Sequence, residues 1–198
     1  MSHGHDHTAS ATISNRVKAL VARVESAGIV SETELDAIVE RFLSAARPEN
    51  GYAVVARAWI DRAFKTRLLD DANAAVAELG IDLSHWSNVR LRVVENTPQV
   101  HNVIVCTLCS CYPIALLGPS PSWYKSAEYR ARAVREPRAV LAEFGLHLPD
   151  ATSIDVWDST ADARYMVLPM RPAGTEGYGE AQLAAIVTRN GLIGTAAV

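Results

Sequence analysis

The three cysteines of the chain all fall within six residues, Cys106, Cys109 and Cys111, in the run Val105-Cys106-Thr107-Leu108-Cys109-Ser110-Cys111. An odd count in one short run argues against a disulfide framework. Inert buried thiols are the commonest fate of cysteine, but alternating strand geometry would not put all three on one face. A zinc site needs about four ligands, usually as two separated pairs, and an iron–sulfur cluster normally wants a fourth cysteine. His85, His101 and His147 are the candidate fourth ligands, and none sits at the right spacing. A C-x-x-C-x-C run is instead compact enough for one turn to aim three sulfurs at a single ion. The two backbone nitrogens inside Cys109-Ser110-Cys111 then point the same way. Soft thiolates with strongly donating amide nitrogens suit a trivalent, low-spin ion better than zinc or magnesium.

The rest of the chain must hold that loop still. At 198 residues, 49% hydrophobic and 21% charged, it is long enough for one domain with a real core and a helical extension. A net charge of −3 with no long basic run speaks against nucleic acid and anionic membranes as partners. Nothing approaches the roughly 18 apolar residues of a membrane span, and Met1–Ser10 carries no apolar export segment, so a cytoplasmic location is expected. Residues 1–10, with His3, His5 and His7, read as a flexible tail.

Residues 11–50 read as a helical arm. Ile13, Val17, Leu20, Val21 and Val24 recur at helical spacing up to Gly28. Ser31 and Glu34 form a capping box for a second helix bearing Leu35, Ile38, Val39, Phe42 and Leu43, which Arg47-Pro48-Glu49-Asn50-Gly51 should break. Such an arm could pack on its own domain or clasp a partner.

Residues 51–198 should form the globular domain. Residues 52–79 read as helical with an interruption near Asp61, and 81–88 as a loop. Strands are expected at Val89–Val94, Val100–Val105, 153–157 and 164–168, with the cysteines starting where the second ends. Helices should follow Pro121, start at Glu136-Pro137, and span about 180–189, before a short apolar tail, Leu192-Ile193. The class is therefore α+β.

At the cysteine run the sequence closely resembles one family, the α subunit of nitrile hydratase, whose motif V-C-[T/S]-L-C-S-C is matched at every position. Val94-Glu95-Asn96-Thr97-Pro98, Ser122-Trp123-Tyr124-Lys125-Ser126, Tyr129-Arg130-Ala131-Arg132, Arg135-Glu136-Pro137-Arg138 and the stretches 164–169 and 171–177 carry the likeness over most of residues 52–195. The resemblance implies that the sulfurs of Cys106, Cys109 and Cys111 and the main-chain nitrogens of Ser110 and Cys111 bind a non-corrin Co(III) or non-haem Fe(III). Thr107 is the residue cobalt-type members carry, so Co(III) is the expected metal. It further implies Cys109 as sulfinate and Cys111 as sulfenate, with Cys109, Ser110 and Cys111 as the catalytic set. The implied reaction adds water to a nitrile to give an amide, the ion acting as Lewis acid.

The implied partners are a β subunit, as one chain or a split pair, in a heterotetramer or larger assembly. An activator or metallochaperone would serve during maturation. The fold implied is a helical N-terminal arm followed by an α-β-β-α layered domain with the loop after a strand. Arg164 matches a family arginine near the loop, with a surface or interface salt bridge as the alternative role. Two departures stand out. Ile114 follows Cys111-Tyr112-Pro113 where the family often has tryptophan, implying a pocket of different shape and an unusual nitrile. Residues 81–88 also lack the family's Leu-Gln-Gly-Glu pattern, so no glutamine there is assigned. Thiocyanate hydrolase, whose γ subunit shares the cobalt claw, is the enzyme alternative; a non-catalytic metal carrier is the remoter one.

Overall fold

The computed structural model describes residues 7–83, 89–109 and 111–198, which fall into two compact units, one ending at Ser44 and the other Ala45–Val198. The first holds helix α1 (His7–Ser26) and most of α2 (Glu32–Ala45). Helix α1 starts within the stretch expected to be a tail; residues 1–6 lie outside the described residues. The capping box is present: Ser31 N donates to Glu34 Oε2 at 2.8 Å and Glu34 N to Ser31 Oγ at 3.2 Å. Helix α2 buries no residue, and Ile38, Val39 and Leu43 are each about half exposed.

The second unit opens with three consecutive helices, α3 (Pro48–Ile60), α4 (Arg62–Asp70) and α5 (Ala72–Glu78). Helix α2 ends at Ala45, the expected break, but the next helix starts at Pro48 and takes in Gly51. Pro48 sits in the first turn of α3, where its missing N–H costs nothing. Gly51 is a contact point: a Cβ there would lie 2.4 Å from the Leu116 carbonyl oxygen and 2.7 Å from Leu192 Cδ1. Asp61 produces the expected interruption by accepting from Phe64 N at 2.9 Å, and Asp71 makes a second one in the same way with Ala74 N at 3.1 Å.

Among the described residues, four strands form two parallel pairs. Strand β1 (Arg90–Glu95) pairs with β4 (Ala163–Leu168), and β2 (Val100–Val105) with β3 (Ser153–Asp158). Every residue of β2 after Val100 is buried, as expected of a strand covered on both faces. The register sets Val105 opposite Asp158, so the end of β3 lies beside the start of the cysteine loop. Between β2 and β3 run α6 (Ile114–Leu117), a 3-10 turn (Ser122–Lys125), α7 (Ala127–Arg135) and α8 (Pro137–Glu143). Near the C-terminus, extended backbone at Val187 divides the expected single helix into α9 (Glu180–Ile186) and α10 (Arg189–Ile193). Leu192 and Ile193 are thus core residues of a helix and not a tail. The mixed helix-and-strand class, with the cysteines directly after a strand, is as the sequence led us to expect. Among the described residues no helix is long and apolar enough to cross a membrane.

A buried polar knot ties β2 to the C-terminal segment. His101 Nε2 lies 2.7 Å from the Gly194 carbonyl oxygen, and its Nδ1 lies 3.2 Å from Asn96 Nδ2. Asn96 Oδ1 accepts from Asn102 N at 2.7 Å, and Trp157 Nε1 donates to Asn102 Oδ1 at 2.8 Å. These partners fix His101 with the proton on Nε2 and commit it to structure, away from any metal. Gly194 sits at φ +89°, where a Cβ would fall 2.0 Å from the Asn102 oxygen, so only glycine allows this approach. Burial lowers the His101 pKa, against the Gly194 contact that raises it. The unfolded chain therefore takes up this proton first, so the stability is present above the ordinary histidine range and is lost as pH falls below it. Urea midpoints measured at pH 7.5 and 5.5 should drop in the wild type, and His101→Gln should remove that part of the drop.

Candidate metal centre

Strand β2 delivers Cys106 to the end of the core with 1% of its surface exposed, and the chain then turns outward. Cys109 is exposed and Cys111 half-buried. The three sulfurs lie within 4.8 Å of one another, with Cys106 Sγ to Cys109 Sγ at 3.3 Å and Cys109 Sγ to Cys111 Sγ at 3.1 Å. The Cys109 N–H also points at Cys106 Sγ, 3.3 Å away.

The donor set can be tested against a metal ion directly. Thiolates about 2.3 Å from an ion lie about 3.3 Å apart when they meet at right angles and about 3.8 Å apart at the tetrahedral angle. The observed spacings of 3.3 and 3.1 Å match the right-angled arrangement. These two spacings fit an octahedral or square-planar ion better than a tetrahedral one such as zinc. The Cys111 thiol will not ionise unaided. Burial first, and the Cys109 thiol next, push Cys111 up to about 12, against the pull of Arg164. A bound cation is what would draw that proton off.

Polar tethers shape the loop. The Asp158 carboxylate accepts Thr107 N–H at 2.9 Å on one oxygen and the Thr107 hydroxyl at 2.5 Å on the other. Buried Tyr124 donates its hydroxyl to the Cys111 carbonyl at 3.1 Å, and its ring meets Tyr112 edge-on at 5.0 Å between centroids. Arg164 donates to the carbonyls of Thr160, Ala161 and Ala163 at the turn before β4, from where its charge favours the Cys111 thiolate. Beyond Cys111, the recess lined by Leu83, Leu91, Tyr112, Ile114 and Arg164 holds about 30 Å³. That volume is room for about one water molecule.

Of the residues the sequence singled out, Cys106, Cys109 and Cys111 are brought together. Ser110 and His85 lie outside the described residues. His147 is exposed and, like His101, belongs to no metal-binding group among the described residues. Asp158 was missed, for it is a lone acid 51 residues from Thr107, and its only signal is a place at a strand end. Tyr124 lies in a stretch that carried the family likeness, without a role.

The family model for the nitrile hydratase alpha chain matches residues 11–196. A nitrile hydratase subunit alpha from Rhodococcus sp is 50% identical over 94% of this chain and 93% of its own. The low-molecular weight cobalt-containing subunit alpha from Rhodococcus rhodochrous is 50% identical over 92% of this chain and 87% of its own. The thiocyanate hydrolase subunit gamma from Thiobacillus thioparus is 47% identical over 72% and 63%. Among solved structures, a double mutant of the Fe-type nitrile hydratase from Comamonas testosteroni Ni1 superposes with a TM-score of 0.87 at 45% identity, over 94% of this chain and 90% of that one. With the cysteine triad gathered at the end of a buried strand in that fold, the chain belongs to the nitrile hydratase alpha family.

Proposed function

We propose that this chain is the metal-carrying subunit of a nitrile hydratase, a lyase of nitrile metabolism that converts a nitrile to its amide. The observation that carries the reading is the convergence of three sulfurs within 4.8 Å, at spacings suited to right-angled coordination. Cys106, Cys109 and Cys111 would hold the ion through sulfur, and Ser110 and Cys111 through main-chain nitrogen. Co(III) is the metal proposed over Fe(III), because Thr107 stands in the motif and a cobalt-containing relative is half identical to this chain. When bound, such an ion supplies Lewis acidity toward the nitrile or the water that hydrates it.

The residues of the chain do the rest. Cys109, Ser110 and Cys111 form the catalytic set. Cys109 is exposed and Cys111 half-buried, whereas Cys106 is closed off. That gradient supports oxidation of the first two, to sulfinate and sulfenate, with Cys106 spared. Asp158 and Tyr124 hold the loop at its two ends, and Arg164 offers positive charge to the Cys111 side. A recess of about 30 Å³ is too small for a nitrile, and the apolar faces of α1 and α2 stand exposed. Both features support a β subunit, single or split, that completes the pocket in a heterotetramer or larger assembly. Maturation would use an activator or metallochaperone, and the location proposed is cytoplasmic. The domain division proposed is a tail over 1–10, an arm over 11–50 and a catalytic domain over 51–198.

The second reading, thiocyanate hydrolysis, rests on the 47% identity to the gamma subunit. Assay of the partner-loaded protein separates the two. Amide from acrylonitrile, without carbonyl sulfide from thiocyanate, is the expected outcome; the reverse would overturn it. A subunit that holds only exchangeable divalent metal, with unoxidised sulfurs, would be a carrier instead. Ile114 tunes the pocket in this reading: bulky heteroaromatic nitriles should turn over at least as well as acrylonitrile.

A further inference from the structure

The loop is also held from the side of α7. Arg130, half-buried on that helix, directs Nη1 at the carbonyl oxygens of both Thr107 and Cys109, each at 3.5 Å. Its Nε donates to the Ser126 carbonyl at 3.4 Å, and Ser126 in turn caps the helix by accepting from Tyr129 N at 3.1 Å. Thr107 is thereby held at both ends of the residue, its N–H and hydroxyl by Asp158 and its carbonyl by Arg130. Leu108, between the two carbonyls, is 87% exposed, so no apolar packing shapes this turn. Polar tethers must do it.

Resting on the reading of the loop as a metal centre, we propose that Arg130 is a positioning residue for it: its guanidinium aims the carbonyls on either side of Leu108 and so sets the peptide planes of the loop. A peptide is planar and trans, so fixing a carbonyl also fixes the nitrogen on the far side of the same plane. The plane that begins at the Cys109 carbonyl is the one whose nitrogen is called on as a ligand. Hydrogen bonds from a charged donor are about twice as strong as neutral ones. Anchored through Nε on the Ser126 carbonyl, the planar guanidinium presents Nη1 to both acceptors in a fixed direction, whereas a lysine ammonium is a mobile point charge on a flexible stem. Arg130 therefore acts through geometry as well as charge.

The test uses the full chain co-expressed with its partner in cobalt medium, as wild type, Arg130→Met, Arg130→Lys and Arg135→Met. Arg135 is exposed on the same helix and serves as the charge-matched control. Three quantities are read: the rate at which a chelator strips cobalt, the sulfur-to-metal absorption, and kcat apart from KM. Arg130→Met should release cobalt about 10–100-fold faster and lower kcat by a similar factor, as loss of a group supporting metal ligands typically does. Its absorption should shift and its KM should hold. Arg130→Lys should recover only part of this, and Arg135→Met should match wild type. An Arg130→Met protein that keeps cobalt and kcat at wild-type values, with only a lower Tm, would overturn the inference. So would full rescue by lysine, which would make charge alone sufficient. A wild type that retains no cobalt would instead overturn the metal-centre reading, and the inference with it.

Discussion

Cys109→Ala should lose bound metal while leaving the apo fold intact. Cys109 Sγ is the middle sulfur, 3.3 Å from Cys106 and 3.1 Å from Cys111, so its removal takes away the one sulfur in close contact with both others. If about 10–16 kcal/mol of binding energy is shared over four or more ligands, one thiolate accounts for roughly 3 kcal/mol, or at least about 100-fold in affinity. Hydration activity should fall with occupancy. The residue is exposed and outside the core, so the metal-free variant should unfold within about 0.5 kcal/mol of metal-free wild type. Metal analysis beside urea unfolding of the apo proteins checks both halves. A variant that loses stability but keeps its metal would mean the sulfur is structural.

The second large effect is expected at Asp158. One carboxylate oxygen takes the Thr107 amide and the other takes the Thr107 hydroxyl. Asparagine has nearly the same shape but one acceptor oxygen, so Asp158→Asn must turn an NH2 group toward one of two donors. Groups that orient a metal loop from outside are typically worth about 10–100-fold in activity or metal affinity. We expect a loss of that size in kcat, with little change in KM, because the residue shapes the loop without touching substrate. Thr107→Val should cost activity as well. If the pair acts as a unit, the double variant should be no worse than Asp158→Asn alone; a double-mutant cycle measures this, and strict additivity would contradict it.

The parts legible beforehand were those whose signals are local. Val100–Val105 is a stretch rich in β-branched residues bounded by Thr97-Pro98 and by the cysteines, and β2 has those bounds. Ser31 and Glu34 announce a cap by type and spacing, and the cap forms. The three cysteines share one short loop, so their convergence needed no long-range information. What escaped depends on chain segments meeting. Asp158 reaches Thr107 only because β2 and β3 pair in parallel with Val105 opposite it. Gly51 read as part of the break after the second helix, yet it lies inside α3, where Leu116 and Leu192 leave no room for a side chain. Asp71 breaks a helix by the same cap as Asp61, but an alanine-rich stretch hid it. Leu192 and Ile193 looked like a loose tail because nothing local shows that Gly194 closes on the Asn102 carbonyl.

The central claim is that Cys106, Cys109 and Cys111 hold one inert trivalent ion. The measurement that tests it most directly is metal content per chain, by mass spectrometry of the intact protein and elemental analysis, after growth with cobalt and co-expression of the partner. The account predicts close to one chelator-resistant cobalt per chain, with added mass from oxygen on Cys109 and Cys111. Tightly held iron would overturn the choice of metal drawn from Thr107 and leave the hydratase reading standing. Exchangeable zinc, or no retained metal at all, would contradict the account.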